Sequence, residues 1–322
     1  MNSPRSLRNL VVVLCALAFL LFDSVGLPAG TTLAGRRVLV LGDSITQDGR
    51  YVSFLEYLLA SRQPRGGRPD LISVGLSAET LSGLSEKGHP FPRPCVLERL
   101  DRALKATSPE IVVACYGMND GIYHPPSADR EAAFADGLSQ LITQVRAAGA
   151  QLILLTPPPF DARPLRAKTV PATADAFGYD KPFVGYDEVL AGFARTELAV
   201  KDPGVVVIDL HGTLNAVLAR ERERDPDFVL SPDGVHPNDG GHLLIARMIL
   251  LGMGYTPPDL TLSQISADPR FALVRERRRL RSEAWLPFIG YQRGEKFKSA
   301  SVDAAEQVVR HLEKELDAGG TR

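Results

Sequence analysis

Four short blocks carry the side chains of this sequence that could do chemistry together. Gly42-Asp43-Ser44 follows an apolar run and precedes a helical pattern that begins near Val52. A serine there stands at the end of a strand and the start of a helix. Free N–H groups and the helix dipole at such a junction favour a developing negative charge. That suits a nucleophile whose attack creates an oxyanion. Ser73-Val74-Gly75 ends the second apolar run, and a glycine lets its N–H approach a ligand with no side chain in the way. Gly117-Met118-Asn119-Asp120 ends the third run. An amide donor from Asn119, with the N–H groups of Ser44 and Gly75, would complete an oxyanion hole. Asp233-Gly234-Val235-His236 lies in a late loop. There His236 could take the serine proton, while Asp233 holds the imidazole in the right tautomer. Alone, each block has a plainer reading: an N-cap serine, a turn glycine, an Asn-Asp turn, a chance Asp-x-x-His. Their force comes from occurring together.

The elements that would position these blocks are legible as alternating runs. Arg37–Leu41, Asp70–Val74, Ile111–Cys115, Gln151–Leu155 and Val205–Ile208 are short and rich in Val, Ile and Leu, as buried parallel strands should be. Helical spacing joins Phe134, Leu138, Leu141, Ile142 and Val145, and Gly149 closes that segment as a C-terminal cap would. Tyr186–Val200, Thr213–Arg222 and Gly241–Met253 read as further helices. Strand and helix in alternation predict an α/β sheet with right-handed crossovers, whose ligands sit beyond the carboxyl ends of the strands. The first three blocks each follow a predicted strand. After Pro257-Pro258 no further strand run occurs. Val302, Ala305, Val308, Val309, Leu312 and Leu316 mark a terminal amphipathic helix, and the basic run Arg275–Arg281 reads as a solvated helix face or a contact for an anionic polysaccharide.

In order and type, the four blocks resemble the SGNH hydrolases, also called the GDSL esterase and lipase family. Gly42-Asp43-Ser44, Gly75, Gly117-x-Asn119-Asp120 and Asp233-x-x-His236 fill all four, over roughly Arg36 to Gly254. The resemblance implies a three-layer α/β/α sandwich around a five-stranded parallel, flavodoxin-like sheet, and a serine esterase that needs no cofactor and no metal. It carries over Ser44 as nucleophile, Asp233 and His236 as its triad partners, and Ser44, Gly75 and Asn119 as oxyanion donors. Ser73 stands where many members have Asn. No G-x-S-x-G occurs, which argues against the α/β-hydrolase elbow. The loop Leu76–Pro94, the stretch Tyr116–Tyr123 and Ser282–Leu286 are similar to exported bacterial members with a long second-block loop and a helical tail. Several of those remove acetyl groups from polysaccharides. Asp43, His89, Tyr123 and His124 are candidate substrate contacts.

Composition bounds the remainder. The chain has 322 residues, 44 % of them hydrophobic and 23 % charged, enough for a packed core. With 37 basic against 38 acidic side chains, no global field draws it onto nucleic acid. His211, His242 and His311 lack matched partners, so no metal site is expected. Cys15 falls inside the leader, and Cys95 and Cys115 could be free or paired. Arg5 and Arg8 precede the uncharged run Leu10–Phe22, which is too short to span a bilayer and suits a signal peptide, followed by the small residues Ser24-Val25-Gly26. The expected organisation is a signal peptide over residues 1–30, a hydrolase domain over 35–256 and a C-terminal helical arm over 257–322. An exported, periplasmic or extracellular protein follows, or a membrane-anchored one if the signal stays uncleaved. The expected partner is a small-molecule or glycan ester. A lipase, a thioesterase or a non-catalytic glycan-binding protein of the same fold are the alternatives.

Overall fold

The computed structural model describes residues 32–60, 67–291 and 301–319. The expected signal peptide, and with it Cys15, lies outside the described residues. Five strands form one sheet: β1 (Arg37–Gly42), β2 (Asp70–Ser73), β3 (Ile111–Cys115), β4 (Gln151–Leu155) and β5 (Val205–Ile208). All neighbours are parallel, in the order β2-β1-β3-β4-β5. β1 and β3 lie inside this sheet and are buried along nearly their whole length. Covered on both faces, they need apolar residues at every position instead of an alternating pattern. β5, at the sheet's edge, is only half-buried.

The helices are α1 (Ser44–Asp48), α2 (Arg50–Ala60), α3 (Leu100–Thr107), α4 (Ala128–Ala147), α5 (Tyr186–Leu198), α6 (Leu210–Arg222), α7 (Asp239–Gly252), α8 (Leu262–Ala267), α9 (Pro269–Ile289) and α10 (Val302–Gly319). Right-handed crossovers decide their sides. The step from β1 through α2 to β2 runs one way along the sheet, and the later crossovers through α3, α4 and α5 run the other way. α2 therefore packs with α7 on one face, while α3, α4 and α5 neighbour one another on the opposite face. The direction reverses between β1 and β3. Loops leaving those two strands diverge to opposite faces and open a crevice at the carboxyl edge, the place where ligands bind in open parallel sheets. Gly42 and Cys115 are paired across it, so Ser44 and Asn119 stand just beyond its two walls.

The C-terminal helices close over the first face. α9 lies against α2 and β2, and α10 lies against α9. The basic run is not the solvated face that its composition suggests. Arg277 and Arg281 are four residues apart, hence on one side of the helix, and both are buried. Arg277 bonds Glu56 at 2.7 Å and Glu313 at 2.7 Å, while Arg281 binds Asp70 and Glu306 and donates to the Leu71 carbonyl at 2.9 Å. Trp285 Nε1 donates to Glu306 at 2.8 Å. Only Arg279 of this set is paired outward, with Glu276 and Glu283. The partners come from positions distant in the chain, which is why the run alone was misleading. Three of the five arginines in the run, Arg277, Arg279 and Arg281, already have acidic partners.

Removing one member of such a buried pair strands the other in low dielectric. Arg277→Met is expected to destabilise the protein by about 3 kcal/mol or more. Glu276→Ala, which loses only an exposed contact, should stay within about 0.5 kcal/mol of the parent. Urea unfolding of the two variants checks this, and equal losses would show that the arm's buried charges do not hold it.

Candidate active site

The site starts at the β1–α1 junction. Asp43 caps α1 by accepting the Ile45 N–H at 2.9 Å, and the Gln47 N–H bonds the Asp43 carbonyl at 2.9 Å. Gly49, with φ of +70°, ends α1 after little more than one turn. Ser44 is thereby fixed at the first helical position, above the end of β1. Its Oγ lies 2.8 Å from His236 Nε2, and His236 Nδ1 lies 2.7 Å from Asp233 Oδ2. The structure thus brings Ser44, His236 and Asp233 into one hydrogen-bonded chain. Asp233 also accepts the N–H groups of Val235 at 3.0 Å and His236 at 2.7 Å, so it shapes the loop as well as orienting the ring.

That loop is braced from two sides. The Asp161 N–H donates to the Gly234 carbonyl at 2.9 Å, and a Cβ on Gly234 would stand 2.5 Å from the Asp161 carbonyl oxygen. Only glycine fits there, and its φ of +78° demands glycine as well. From the other side Arg50 bonds Asp48 of α1, Asp239 at 2.7 Å and the Pro237 carbonyl at 3.0 Å. One guanidinium thus ties the serine's helix to the histidine's loop.

Electrostatics follow from these contacts. The hydrogen bond that His236 donates to Asp233 raises the imidazole pKa above its ordinary value, and partial burial pulls the other way. Burial alone would raise Asp233, yet the bonds from His236 and Val235 bring it down to about 2. Burial pushes Asp43 up to about 7, opposed by the Ile45 N–H and by His236.

Gly75 lies against α1, and Asn119 lies in the loop that follows β3. A Cβ on Gly75 would sit 2.4 Å from Gln47 N, so the backbone there touches α1 with no room for a side chain. Asn119 is buried, and its Nδ2 donates one hydrogen to the Glu79 carbonyl at 3.2 Å. Its Oδ1 accepts from Arg93 Nη1 at 2.8 Å and faces the Tyr123 hydroxyl at 3.4 Å. The Glu79 carbonyl thus takes one of the two Nδ2 hydrogens.

The long loop after β2 supplies the support, and sequence reasoning missed it. Asp120 Oδ1 accepts the Leu81 and Ser82 N–H groups, both at 2.7 Å, and its Oδ2 accepts the Gly117 N–H at 2.9 Å. It therefore clamps this loop to the one that carries Asn119. Glu79 and Arg99 form a buried pair, with Tyr116 and the Val74 carbonyl completing it. Glu86 holds Arg93 through two bonds at 2.6 and 2.7 Å. The signal available was the charge pattern Glu79, Glu86, Arg93, Arg99 within one loop, which has no helical or strand period to expose it. Ile122 and Tyr123 take left-handed φ of +47° and +60° just after Asn119. Strain of this kind costs about 1–3 kcal/mol per residue, so surrounding contacts must impose it.

The remaining sequence candidates are held as follows. Asp43 is buried as the α1 cap. Tyr123 is buried and stacks on Tyr186. His124 Nδ1 bonds the Ile122 carbonyl, and its ring meets Phe177. His89 packs against Phe91 and against Tyr179, which is 48 % exposed. Cys95 and Cys115 are free thiols, and Cys115 is buried at the end of β3.

Comparisons with known proteins give the family and the fold. The model of the GDSL-like lipase/acylhydrolase family matches residues 40–244, and the chain belongs to that family. It is an ester hydrolase. Among solved structures, a catalytic mutant of Axe2, an acetylxylan esterase from Geobacillus stearothermophilus, matches with a TM-score of 0.51 and 19 % identity over 70 % of this chain and 98 % of that one. A gut microbial diltiazem-metabolizing enzyme gives 0.48 and 18 % over 69 % of this chain, which spans 47 % of that protein. The acetyl xylan esterase AlAXEase gives 0.46 and 20 % over 67 % and 98 %. The likeness to Axe2 shows a shared fold. A search of the curated proteins matched none of them.

Only neutral His236 can accept a proton from Ser44. Its raised pKa therefore predicts that kcat/KM falls as pH drops through a midpoint above the ordinary 6.5. Asp233→Asn should move that midpoint down and lower kcat by a factor on the order of 10^4, because the ring loses both its charge partner and its tautomer. A pH–rate profile of both proteins on p-nitrophenyl acetate measures this; an unmoved midpoint would separate Asp233 from the base.

Proposed function

We propose that this ester hydrolase works through a serine acyl-enzyme and removes short acyl groups, acetyl above all, from carbohydrate. The observation that carries the mechanism is the hydrogen-bonded chain Ser44–His236–Asp233. His236 takes the Ser44 proton as Oγ attacks the ester carbonyl. The oxyanion is held by the N–H groups of Ser44 and Gly75 and the Asn119 amide. His236 then returns the proton to the leaving alcohol, and water repeats the cycle on the acyl-enzyme.

Two features support a small acyl group on a sugar over a lipid. Pro157–Phe160, the loop that might have made an apolar entrance, is buried, with Phe160 packed on Tyr123 and Tyr186. Of the described residues, the large exposed apolar side chains on the loops around the site are Tyr179 and Val184. Tyr179 adjoins His89 and Phe91, and such a ring surface suits the apolar face of a sugar. Acetylated xylan, the substrate named for two of the structural relatives, is the first polymer to try.

Ser44→Ala is expected to abolish esterase activity and labelling by a fluorophosphonate, and Asn119→Ala to lower kcat by about 100- to 1000-fold. A parent protein inert to the fluorophosphonate would overturn the serine acyl-enzyme. Acetylated xylan, pectin and chito-oligosaccharide assayed beside short and long p-nitrophenyl esters test the substrate reading, and faster turnover of long-chain esters would overturn it. We further propose export, supported by Arg5, Arg8 and the uncharged run Leu10–Phe22. N-terminal sequencing of protein recovered from the periplasm or medium should begin beyond Ser24; recovery with an intact leader in the membrane fraction points to an anchor.

A further inference from the structure

We propose that Arg93, held by Glu86, is a positioning residue for the oxyanion hole, acting through Asn119. The inference rests on Asn119 being an oxyanion donor. A primary amide is nearly symmetric in shape, so its oxygen and nitrogen can exchange places by a half-turn about the terminal bond. Only one orientation serves an oxyanion; the other would aim a lone pair at the developing charge.

Two contacts choose between them, one to a group that can only donate and one to a group that can only accept. Arg93 Nη1 lies 2.8 Å from Asn119 Oδ1, and a guanidinium has five donors and no acceptor, so it can meet only the oxygen. The Tyr123 hydroxyl reaches the same oxygen at 3.4 Å. The Glu79 carbonyl, an acceptor only, receives Nδ2 at 3.2 Å. One Nδ2 hydrogen is thereby spent on Glu79, which leaves the other for the oxyanion.

Arg93 is itself fixed without freedom. Glu86 takes Nε and Nη2 in a two-point bond, leaving Nη1 for Asn119. Both side chains are shut from water, at 1 % and 2 % exposure. Tyr123, on the strained loop, lies with its ring centre 5.5 Å from the guanidinium. A positive charge bonded to the amide oxygen also withdraws electron density from Nδ2, which makes its remaining N–H a stronger donor as the oxyanion forms. Burial keeps that effect from being screened.

A buried ion pair could instead be a staple for the loop alone. Glu86→Leu/Arg93→Met separates the two roles, because a buried pair replaced by apolar groups of similar volume often leaves a protein folded. kcat and KM on p-nitrophenyl acetate, the pH profile and thermal melting are measured for this variant, for Arg93→Lys, for Asn119→Ala, and for each Arg93 variant combined with Asn119→Ala. The folded double variant should lose kcat by a factor on the order of 10^2, with KM within about threefold and the acid limb unmoved, since donor aim is lost while His236 is untouched. Arg93→Lys, which keeps the charge and a donor for Oδ1, should recover part of that loss. With alanine at 119 neither change should lower kcat by more than about twofold, because the residue they act through is gone.

A folded Glu86→Leu/Arg93→Met variant with parental kcat, or losses that add fully to that of Asn119→Ala, would overturn the proposal. Should the double variant not fold, the same additivity test on Arg93→Lys decides it. Failure of the underlying reading looks different: Asn119→Ala would then turn over at the parental rate.

Discussion

Two ion pairs lie wholly out of water beneath the loop that follows β2, and much of the site's geometry depends on them. Glu79–Arg99 and Glu86–Arg93 are each almost completely buried. A charge left there without its partner would cost several kcal/mol, far more than the loop could recover in another arrangement. The loop is long and has little regular structure, yet it has few alternatives. Its fixed backbone presents the Glu79 carbonyl to Asn119, and its fixed guanidinium presents a donor to the same amide. Asp120 adds a third buried carboxyl that bonds N–H groups of both loops. Rigidity in the site thus comes from satisfied charge more than from secondary structure.

The sheet supplies the complementary constraint. With the order β2-β1-β3-β4-β5, the reversal of chain direction falls between β1 and β3. Every parallel strand directs its carboxyl end to the same edge, so the residues after β1, β2 and β3 converge without any need to be near one another in sequence. The loop bearing Asp233 and His236 arrives after β5 and α6, and is brought to Ser44 by braces from Asp161 and Arg50. Family membership accounts for the presence of the blocks; the switch in strand order accounts for why they meet.

Much of the fold was legible in the residues. The five strand runs were readable because buried parallel strands are continuous in Val, Leu and Ile, and the C-terminal end of α4 because Gly149 takes the left-handed conformation just past it. α3 was harder to see, being two turns long with its apolar residues hidden beneath an Arg- and Lys-bearing surface. The Arg275–Arg281 run was misleading for a general reason. Local composition records a charge but not whether a distant acid will meet it, and here Glu56, Asp70, Glu306 and Glu313 do. Asp43 shows the same limit on a smaller scale: a carboxylate beside a nucleophile is compatible with substrate contact or with capping, and the direction of one side chain decides.

By itself the sequence determined which residues could react and in what element each would stand. Ser44, Gly75 and Asn119 were placed after strands, and Asp233 three residues before His236, because hydrophobic period and residue type are local properties. Only the tertiary structure decided the distances that link Ser44 to His236, the orientation of the Asn119 amide, and the pairing of Arg93, Arg99, Arg277 and Arg281. Those are relations between side chains far apart in the chain, fixed by the cost of leaving a buried charge without a partner.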